Sequence, residues 1–349
     1  MEFHSESKII ERADLLSPET VPERITGRPE QIEMLSQCLK PMEIGAAPLS
    51  AWLYGPTGTG KTAVARNVAQ RICNCQRRIW LYVNCWERPT LYSVIRALCD
   101  QLSILGADSL DTNVKLARIR EALKDKTTLI ILDEIDRPMP RERDSIIYNL
   151  LQIPKAGLFC IACDRAAFFH LEDRVRSKLT PTQVHLPQYS IAEIEVILAE
   201  RARDSLMPDA YNNIILQRIA SLARGDARKA LYILLKTAVA AEKDRTDRMA
   251  ARHIPADTLA WQQWEQNSRV ESLPQHQRLI YELARKHGEI SSTKLRGLYL
   301  VGCYKESLEP AAHRTFSKYV KILAQNNFLS IEPKVTGGSG RLIKVTLPG

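Results

Sequence analysis

The sequence predicts an α/β fold: a parallel sheet with helices on both faces, a helical segment after it, and a small terminal domain of three helices and a hairpin. Three observations carry this expectation. Short β-rich apolar runs alternate with amphipathic stretches through the first half of the chain, only helical patterns follow Ser190, and two strand-like runs close the chain around a glycine-rich turn.

The expected strands are Ser50–Tyr54, Ile79–Asn84, Thr128–Leu132, Leu158–Cys163 and Gln183–Leu186, with helical patterns near 60–73, 90–105, 111–124 and 141–152 between them. Ser190-Ile-Ala-Glu193 fits a capping box, in which the serine and glutamate side chains satisfy each other's backbone donors, opening a helix to about Arg203. Further helices are expected over Tyr211–Ala223 and Asp226–Lys243, followed by a polar connector to Asn267. After it come helical patterns near 274–287, 291–301 and 310–326 and strands near 328–333 and 341–347, joined by Thr336-Gly-Gly-Ser-Gly340. Three helices and a glycine-tipped hairpin outline a winged helix. The domains expected are 1–187, 188–267 and 268–349.

Composition removes several classes. Apolar residues are 45% and charged residues 26% of 349, as in ordinary globular proteins, and no apolar run approaches the roughly 20 residues a membrane span needs. The N-terminus lacks the layout of a secretory signal, so a cytoplasmic protein with reduced thiols is expected. The pairs Cys73-Asn-Cys75 and Cys160-Ile-Ala-Cys163 are not followed by ligands at zinc-finger spacing. On one strand, Cys160 and Cys163 would face opposite sides. The net charge of +9 is unevenly spread: Ser268–Gly349 holds 13 Lys+Arg against 6 Asp+Glu. A basic end on a nearly neutral body is what a polyanion-binding module looks like.

The strongest local signal is Gly55-Pro56-Thr57-Gly58-Thr59-Gly60-Lys61-Thr62, after the apolar run Ala51–Tyr54 and before an amphipathic helix. Pattern and context are those of a P-loop. Glycines let backbone N–H groups turn inward around phosphates, and the helix presents its positive end to them. Lys61 would reach the β- and γ-phosphates and Thr62 would ligate Mg²⁺. The run Leu129–Leu132 ends in Asp133-Glu134, two carboxylates at the sheet edge where such ligands bind. Asp133 is suited to holding Mg²⁺ through water and Glu134 to polarising the attacking water.

With these residues in place, the chain resembles the AAA+ ATPases, and within them the replication-initiator group of the origin recognition complex and cell-division-cycle initiators. The resemblance rests on Thr20–Arg28, Gly55–Thr62, Tyr82-Val-Asn-Cys85 with two helices after it, Leu132–Asp136, Asp173–Lys178, Gly225-Asp-Ala-Arg228 and the terminal winged helix, in that order. It implies a RecA-like module with an α-helical lid that binds ATP or ADP and Mg²⁺. Val21, Pro22 and Arg24 would lie on the adenine side. Arg174 would be the arginine finger offered to a neighbouring copy or related subunit, with Arg176 and Lys178 as seconds, and Arg228 the lid residue contacting the γ-phosphate. The helices at 90–105 and 111–124, carrying Arg96, Lys115, Arg118 and Arg120, match the position of an insertion that meets DNA backbone. Where the family has an asparagine that helps position water, this chain has Cys163, and a thiol is a weak donor. Hydrolysis is therefore expected to be slow.

In the last helix, Phe316, Val320 and Leu323 mark an apolar side, while Arg314, Lys318 and Lys321, with His313 and Ser317 nearby, form a cationic one. That stripe is expected to enter a major groove, with Arg341 and Lys344 of the hairpin along a minor groove or phosphates. The expected function is ATP-controlled recognition of double-stranded origin DNA, in the nucleoid, helping to recruit or load a helicase. The alternatives are a signalling ATPase with the winged helix as a latch, a transposition or plasmid-associated ATPase, and a module that binds ATP without turnover.

Overall fold

Burial on both faces is written into the central strands. In β3 (Thr127–Asp133), seven residues are buried in succession, as a parallel strand between two helical layers requires. It lies in a five-stranded parallel sheet with β1 (Ala51–Tyr54), β2 (Arg78–Asn84), β4 (Ala156–Ala162) and β5 (Thr182–His185), in the order β2-β3-β4-β1-β5. The register aligns Tyr54 with Ala162 and His185, and Asn84 with Asp133, so the C-terminal ends of the strands form one edge. The computed structural model describes residues 8–345, apart from positions 19, 21, 23–24, 74–76, 107–109, 256–260, 262–266, 268, 272, 327 and 334–340.

Helix α1 (Ala13–Leu16) packs with the lid described below, while α2 (Pro29–Leu39), α3 (Lys61–Ile72), α4 (Leu91–Gln101), α5 (Thr112–Leu123), α6 (Pro140–Leu150), α7 (Ala166–Phe169) and α8 (Asp173–Leu179) accompany the sheet. One core gathers Leu35, Val64, Val68 and Phe159 on the α2/α3 side, and another gathers Trp52, Ile95, Ile119 and Ile147 on the α4/α5/α6 side. The lid follows as α9 (Ile191–Ser205), α10 (Asn213–Ala223) and α11 (Ala227–Lys243). The expected capping box is formed: Glu193 N donates to Ser190 Oγ (3.2 Å) and Ser190 N donates to Glu193 Oε2 (2.8 Å). Trp261 packs against Tyr232 within the lid core.

The terminal domain comprises α12 (Gln275–His287), β6 (Glu289–Ser291), α13 (Ser292–Lys305), α14 (His313–Gln325), β7 (Leu329–Pro333) and β8 (Arg341–Val345). Its antiparallel sheet has the order β6-β8-β7, the winged-helix outline with one strand more than the sequence reading. That strand is too short for an alternation signal, and Ser291 at its end also caps α13 by accepting from Lys294 N (3.3 Å). The hairpin tip at 334–340 lies outside the described residues.

Three expectations need correction. Strand β4 ends at Ala162, so Cys163 stands just beyond it and the alternation argument for Cys160 and Cys163 does not apply. Lys115, counted among the basic residues of the inserted helices, is fully buried with its ammonium 4.1 Å from the centre of the Tyr92 ring. The N-terminal segment does not stay with the sheet: Ile9 and Leu16 are buried in the lid core, and Ile10 bridges to Leu206.

The terminal domain is seated on the sheet module. Trp86, just beyond β2, belongs to the terminal domain's apolar core and meets Phe328 with ring centres 5.4 Å apart. Lys318 of α14 donates to Glu142 Oε1 of α6 (2.8 Å), both side chains being partly exposed. Burying a large side chain is worth about 2–3 kcal/mol, and a partly exposed ion pair about 1 kcal/mol or less. Trp86 therefore holds the seat, and the ion pair orients it.

Candidate functional site

The phosphate loop leaves β1 at the sheet edge with Gly55, Gly58 and Gly60 at φ of +150°, +73° and +85°. A Cβ at Gly58 would lie 1.9 Å from Asp226 Oδ1, and one at Gly55 2.0 Å from the Leu186 carbonyl oxygen. The loop is thus pressed between the sheet edge and the lid. Asp226 caps α11 by accepting from Lys229 N (3.0 Å), while Ala227 N donates to the Gly58 carbonyl (3.1 Å). Arg228, in the same first turn, bears electrostatically on both Lys61 and Glu134.

Lys61 Nζ donates to the carbonyls of Gly55 (2.6 Å) and Pro56 (2.7 Å). Burial pulls its pKa down, against the opposing pull of Cys163, Asp133 and Asp136. A cation in this position is ready to exchange carbonyl dipoles for full phosphate charge, a stronger partner. Thr59 is fully buried and donates to the Pro56 carbonyl (2.9 Å), tightening the loop; Thr57 is exposed.

Asp133 closes β3, and its Oδ2 accepts from Thr62 Oγ1 (2.7 Å) and from the Tyr82 hydroxyl (2.9 Å). A hydroxyl and a carboxylate oxygen side by side are the hard donors Mg²⁺ prefers, and that ion commonly takes its other ligands from phosphate and water. The residues therefore fit it. Glu134 follows with φ +52°, outside the comfortable range for a residue with a Cβ, at a cost of about 1–3 kcal/mol. Burial and the neighbouring Asp133 push its pKa up to about 7. Cys163 sits in the same corner: its N–H donates to Asp136 Oδ2 (3.3 Å), and Arg137 Nη2 donates to its Sγ (3.9 Å). Burial raises the thiol's pKa, so it stays protonated at neutral pH.

The segment 15–28, where the resemblance expects adenine-side contacts, is clamped from two directions. Arg201 of α9 donates to the carbonyls of Leu15 (2.9 Å) and Thr20, and Thr26 donates to Glu200. Arg28, 3% exposed, donates to the carbonyls of Thr59 (3.3 Å) and Pro187 (2.5 Å) and stacks 3.7 Å from the centre of the Tyr189 ring. Pro22 is half-buried, and Val21 and Arg24 lie outside the described residues. Arg28, Tyr82 and Asp226 stand within motifs that the sequence reading quotes but gives no site role, and Tyr189 is not named there at all. Tyr189 directly precedes the capping serine, where an apolar residue commonly fixes the chain's entry to a helix, and that position is the signal that could have found it.

Arg174 stands away from this pocket on α8, 68% exposed, donating to Glu172 Oε2 (2.8 Å). Arg176 pairs with Asp173, and Lys178 lies 5.0 Å from the Tyr148 ring centre. On α14, His313, Arg314 and Lys321 are exposed and Ser317 is half-buried, while Lys318 is held by Glu142. Lys344 donates to Glu332 (3.0 Å) and lies 3.7 Å from Glu289, and the Arg341 side chain is outside the described residues. Arg314 and Lys321 are thus the members of the stripe that face outward without a carboxylate partner among the described residues.

Two outcomes follow from this geometry. Gly58→Ala should lower nucleotide affinity at least about tenfold, because the methyl group forces the lid off the loop; calorimetric titration reads it, and unchanged affinity would contradict the clamp. Glu134 can accept a proton only when ionised, so single-turnover hydrolysis should rise with pH between about 6 and 8 and level off above about 8. A flat profile would mean that Glu134 is not the base.

Two family models match parts of the chain: the AAA domain over residues 47–162 and the Cdc6 AAA+ ATPase-type lid domain over residues 195–256. The ORC1-type DNA replication protein 1 of Halobacterium salinarum is 32% identical over 297 residues, which span 83% of this chain and 95% of that protein. The protein of the same name from Sulfurisphaera tokodaii is 28% identical over 98% of this chain and 91% of its own length. Among solved structures, the Aeropyrum pernix ORC1 protein in complex with DNA matches with a TM-score of 0.71 at 26% identity, covering 99% of this chain and 95% of that one. Cdc6p of Pyrobaculum aerophilum shares the fold, with a TM-score of 0.64 at 21% identity over 97% and 94% of the two chains. The nucleotide corner, the lid that closes it and the match across nearly the whole length of these relatives lead to one conclusion: the chain belongs to the ORC1-type DNA replication protein family of AAA+ ATPases.

Proposed function

We propose that this protein recognises double-stranded origin DNA under the control of bound ATP or ADP, and that it helps recruit or load a helicase there. The observation that carries the reading is the outward-facing pair Arg314 and Lys321 on α14, in a chain whose whole length follows relatives named for DNA replication. The Aeropyrum pernix relative solved with DNA supports the same reading. Among the described residues no helix is long and apolar enough to cross a membrane.

In the site, Lys61 exchanges the carbonyls of Gly55 and Pro56 for phosphate oxygens, with the loop's N–H groups and the N-terminus of α3 behind it. Thr62 and Asp133 would hold Mg²⁺, which supplies charge neutralisation when bound. Glu134, poised near neutrality, takes the proton of the attacking water. Arg228 answers the γ-phosphate from the lid, and Arg174 answers it from a neighbouring subunit. Cys163 leaves the water poorly oriented, so turnover is slow and the protein acts as a switch more than a motor. The seat of α14 on α6 gives some weight to the latch reading, but it engages Lys318 and leaves Arg314 and Lys321 outward.

Cys163→Asn should raise single-turnover hydrolysis by about tenfold, since an amide offers a donor and an acceptor where the thiol offers one weak donor; no change would make Cys163 a bystander. The DNA reading is tested by footprinting with ATP on the host replicon. Protection confined to origin-proximal sites supports it, whereas scattered protection favours the transposition or plasmid alternative. Replacing Arg314 and Lys321 by Ala should reduce the slope of log affinity against log salt by about 0.9 for each DNA phosphate that is no longer neutralised. An unchanged slope would remove α14 from the interface.

A further inference from the structure

Between the hydrolytic corner and the terminal domain runs the short segment Arg137-Pro138-Met139-Pro140-Arg141-Glu142. It begins directly after the acidic run that follows β3 and ends in the first turn of α6. Two prolines fix their own φ and restrict the residues before them, so the segment transmits displacement better than it absorbs it.

Each end of the segment holds a different neighbour. At the far end, Glu142 Oε2 accepts from Leu91 N (3.0 Å), while Oε1 accepts from Lys318 of α14 (2.8 Å). At the near end, Arg137 touches both sides. Its Nη2 donates to Cys163 Sγ (3.9 Å), and its charge bears on Glu134. Its guanidinium also lies 5.2 Å from the centre of the Trp86 ring. Trp86 is 6% exposed and holds the terminal domain through Phe328, which in turn meets Tyr281 (5.3 Å). Arg269 lies 5.3 Å from the same Trp86 ring and donates to the Asn326 carbonyl (3.3 Å) just beyond α14.

A guanidinium carries five donors. Among the described residues, Arg137 has the thiol as its one hydrogen-bond acceptor, and its Nε is buried without any. Buried donors without acceptors are costly, and a thiol is a weak acceptor. Nucleotide phosphates arriving beside Lys61 and Cys163 bring negative charge into that corner and change the field acting on this weakly held guanidinium, with no direct bond to it. Displacement of the guanidinium in that field withdraws the cation from the Trp86 ring and pulls on the segment that ends at Glu142.

We infer that Arg137 is the positioning residue by which the nucleotide site sets the seat of the winged-helix domain, acting through Trp86 on one side and through Glu142 and Lys318 on the other. The inference rests on the nucleotide-controlled DNA binding proposed above and names the side chain that carries the control. Arg137 belongs to neither the phosphate loop nor the DNA-facing edge of α14, so both ligands can bind without it. What it supplies is the dependence of one on the other.

The test uses the full chain and a fluorescent duplex carrying the footprinted site, with anisotropy read in saturating non-hydrolysable ATP analogue and in saturating ADP at one salt concentration. The wild-type ratio of the two DNA affinities is expected in the range of about 5- to 150-fold. In Arg137→Gln that ratio should fall to within about twofold of unity, with nucleotide affinity and DNA affinity in ADP each changed by less than about threefold. Arg137→Lys keeps the charge but lacks the planar fork and the ring-stacking surface, so it should also lose most of the ratio; it serves if the glutamine variant does not fold. A folded variant that keeps the wild-type ratio overturns the inference. So does a variant that loses nucleotide affinity outright, since Arg137 would then be a direct ligand. A wild-type ratio of one, by contrast, removes nucleotide control itself, and the relay with it.

Discussion

At Gly58 there is no space for a side chain, because the lid's Asp226 carboxylate occupies the place where a Cβ would stand, 1.9 Å away. Ala227 N donates to the carbonyl of that same glycine. The phosphate loop and the first turn of α11 are therefore a single backbone contact, and anything that widens the loop must move the lid. Arg228 rides on that turn, so its distance from Lys61 and Glu134 is set by how far the lid is closed. The N-terminal segment ties the arrangement from behind: Ile9 and Leu16 are buried in the lid core, while Arg28 is fixed to the phosphate loop through the Thr59 carbonyl. Nucleotide binding in this fold is at once a statement about where the lid sits.

On the proposed reading, the charges in the corner hold a nucleotide better than they turn it over. Glu134 carries a raised pKa because it is buried beside Asp133, and its backbone is held at φ +52°, a strained placement typical of functional positions. Lys61 is depressed in the opposite sense by the same burial. Each shift reflects charge kept from water until phosphate arrives, and preorganisation of this kind favours the bound state. The neutral thiol of Cys163 offers little to an incoming water. On the proposed reading, slow chemistry and a lid that follows the nucleotide make a switch, and the seat of the terminal domain on Trp86 gives the switch something to act on.

The features of the site that depend on local spacing are legible in the sequence. The phosphate loop, the acidic pair at the end of β3, the capping box at Ser190 and the helical lid each depend on neighbours within a few residues, and each is where the spacing puts it. Features made by the meeting of distant segments are not. Lys318 and Glu142 are 176 positions apart, and nothing about either one marks it for the other. Lys115 carries a charge of the kind that normally faces water, yet it is fully buried with Tyr92 of α4 over its ammonium. The N-terminal segment runs back to the lid because its apolar side chains find a core there, whereas chain order alone assigns it to the sheet domain. Sheet order is of the same kind, since β1 lies between β4 and β5 while the chain meets it first.

The central claim is that nucleotide and DNA bind to one linked system. Linkage requires that if ATP changes the affinity for DNA, DNA changes the affinity for ATP by the same factor. The direct measurement is calorimetric titration of the wild-type chain with a non-hydrolysable ATP analogue, with and without a saturating duplex carrying its site. The account predicts at least about a fivefold difference between the two dissociation constants, with a smaller difference for ADP. Equal constants in the presence and absence of DNA, for both nucleotides, would contradict it.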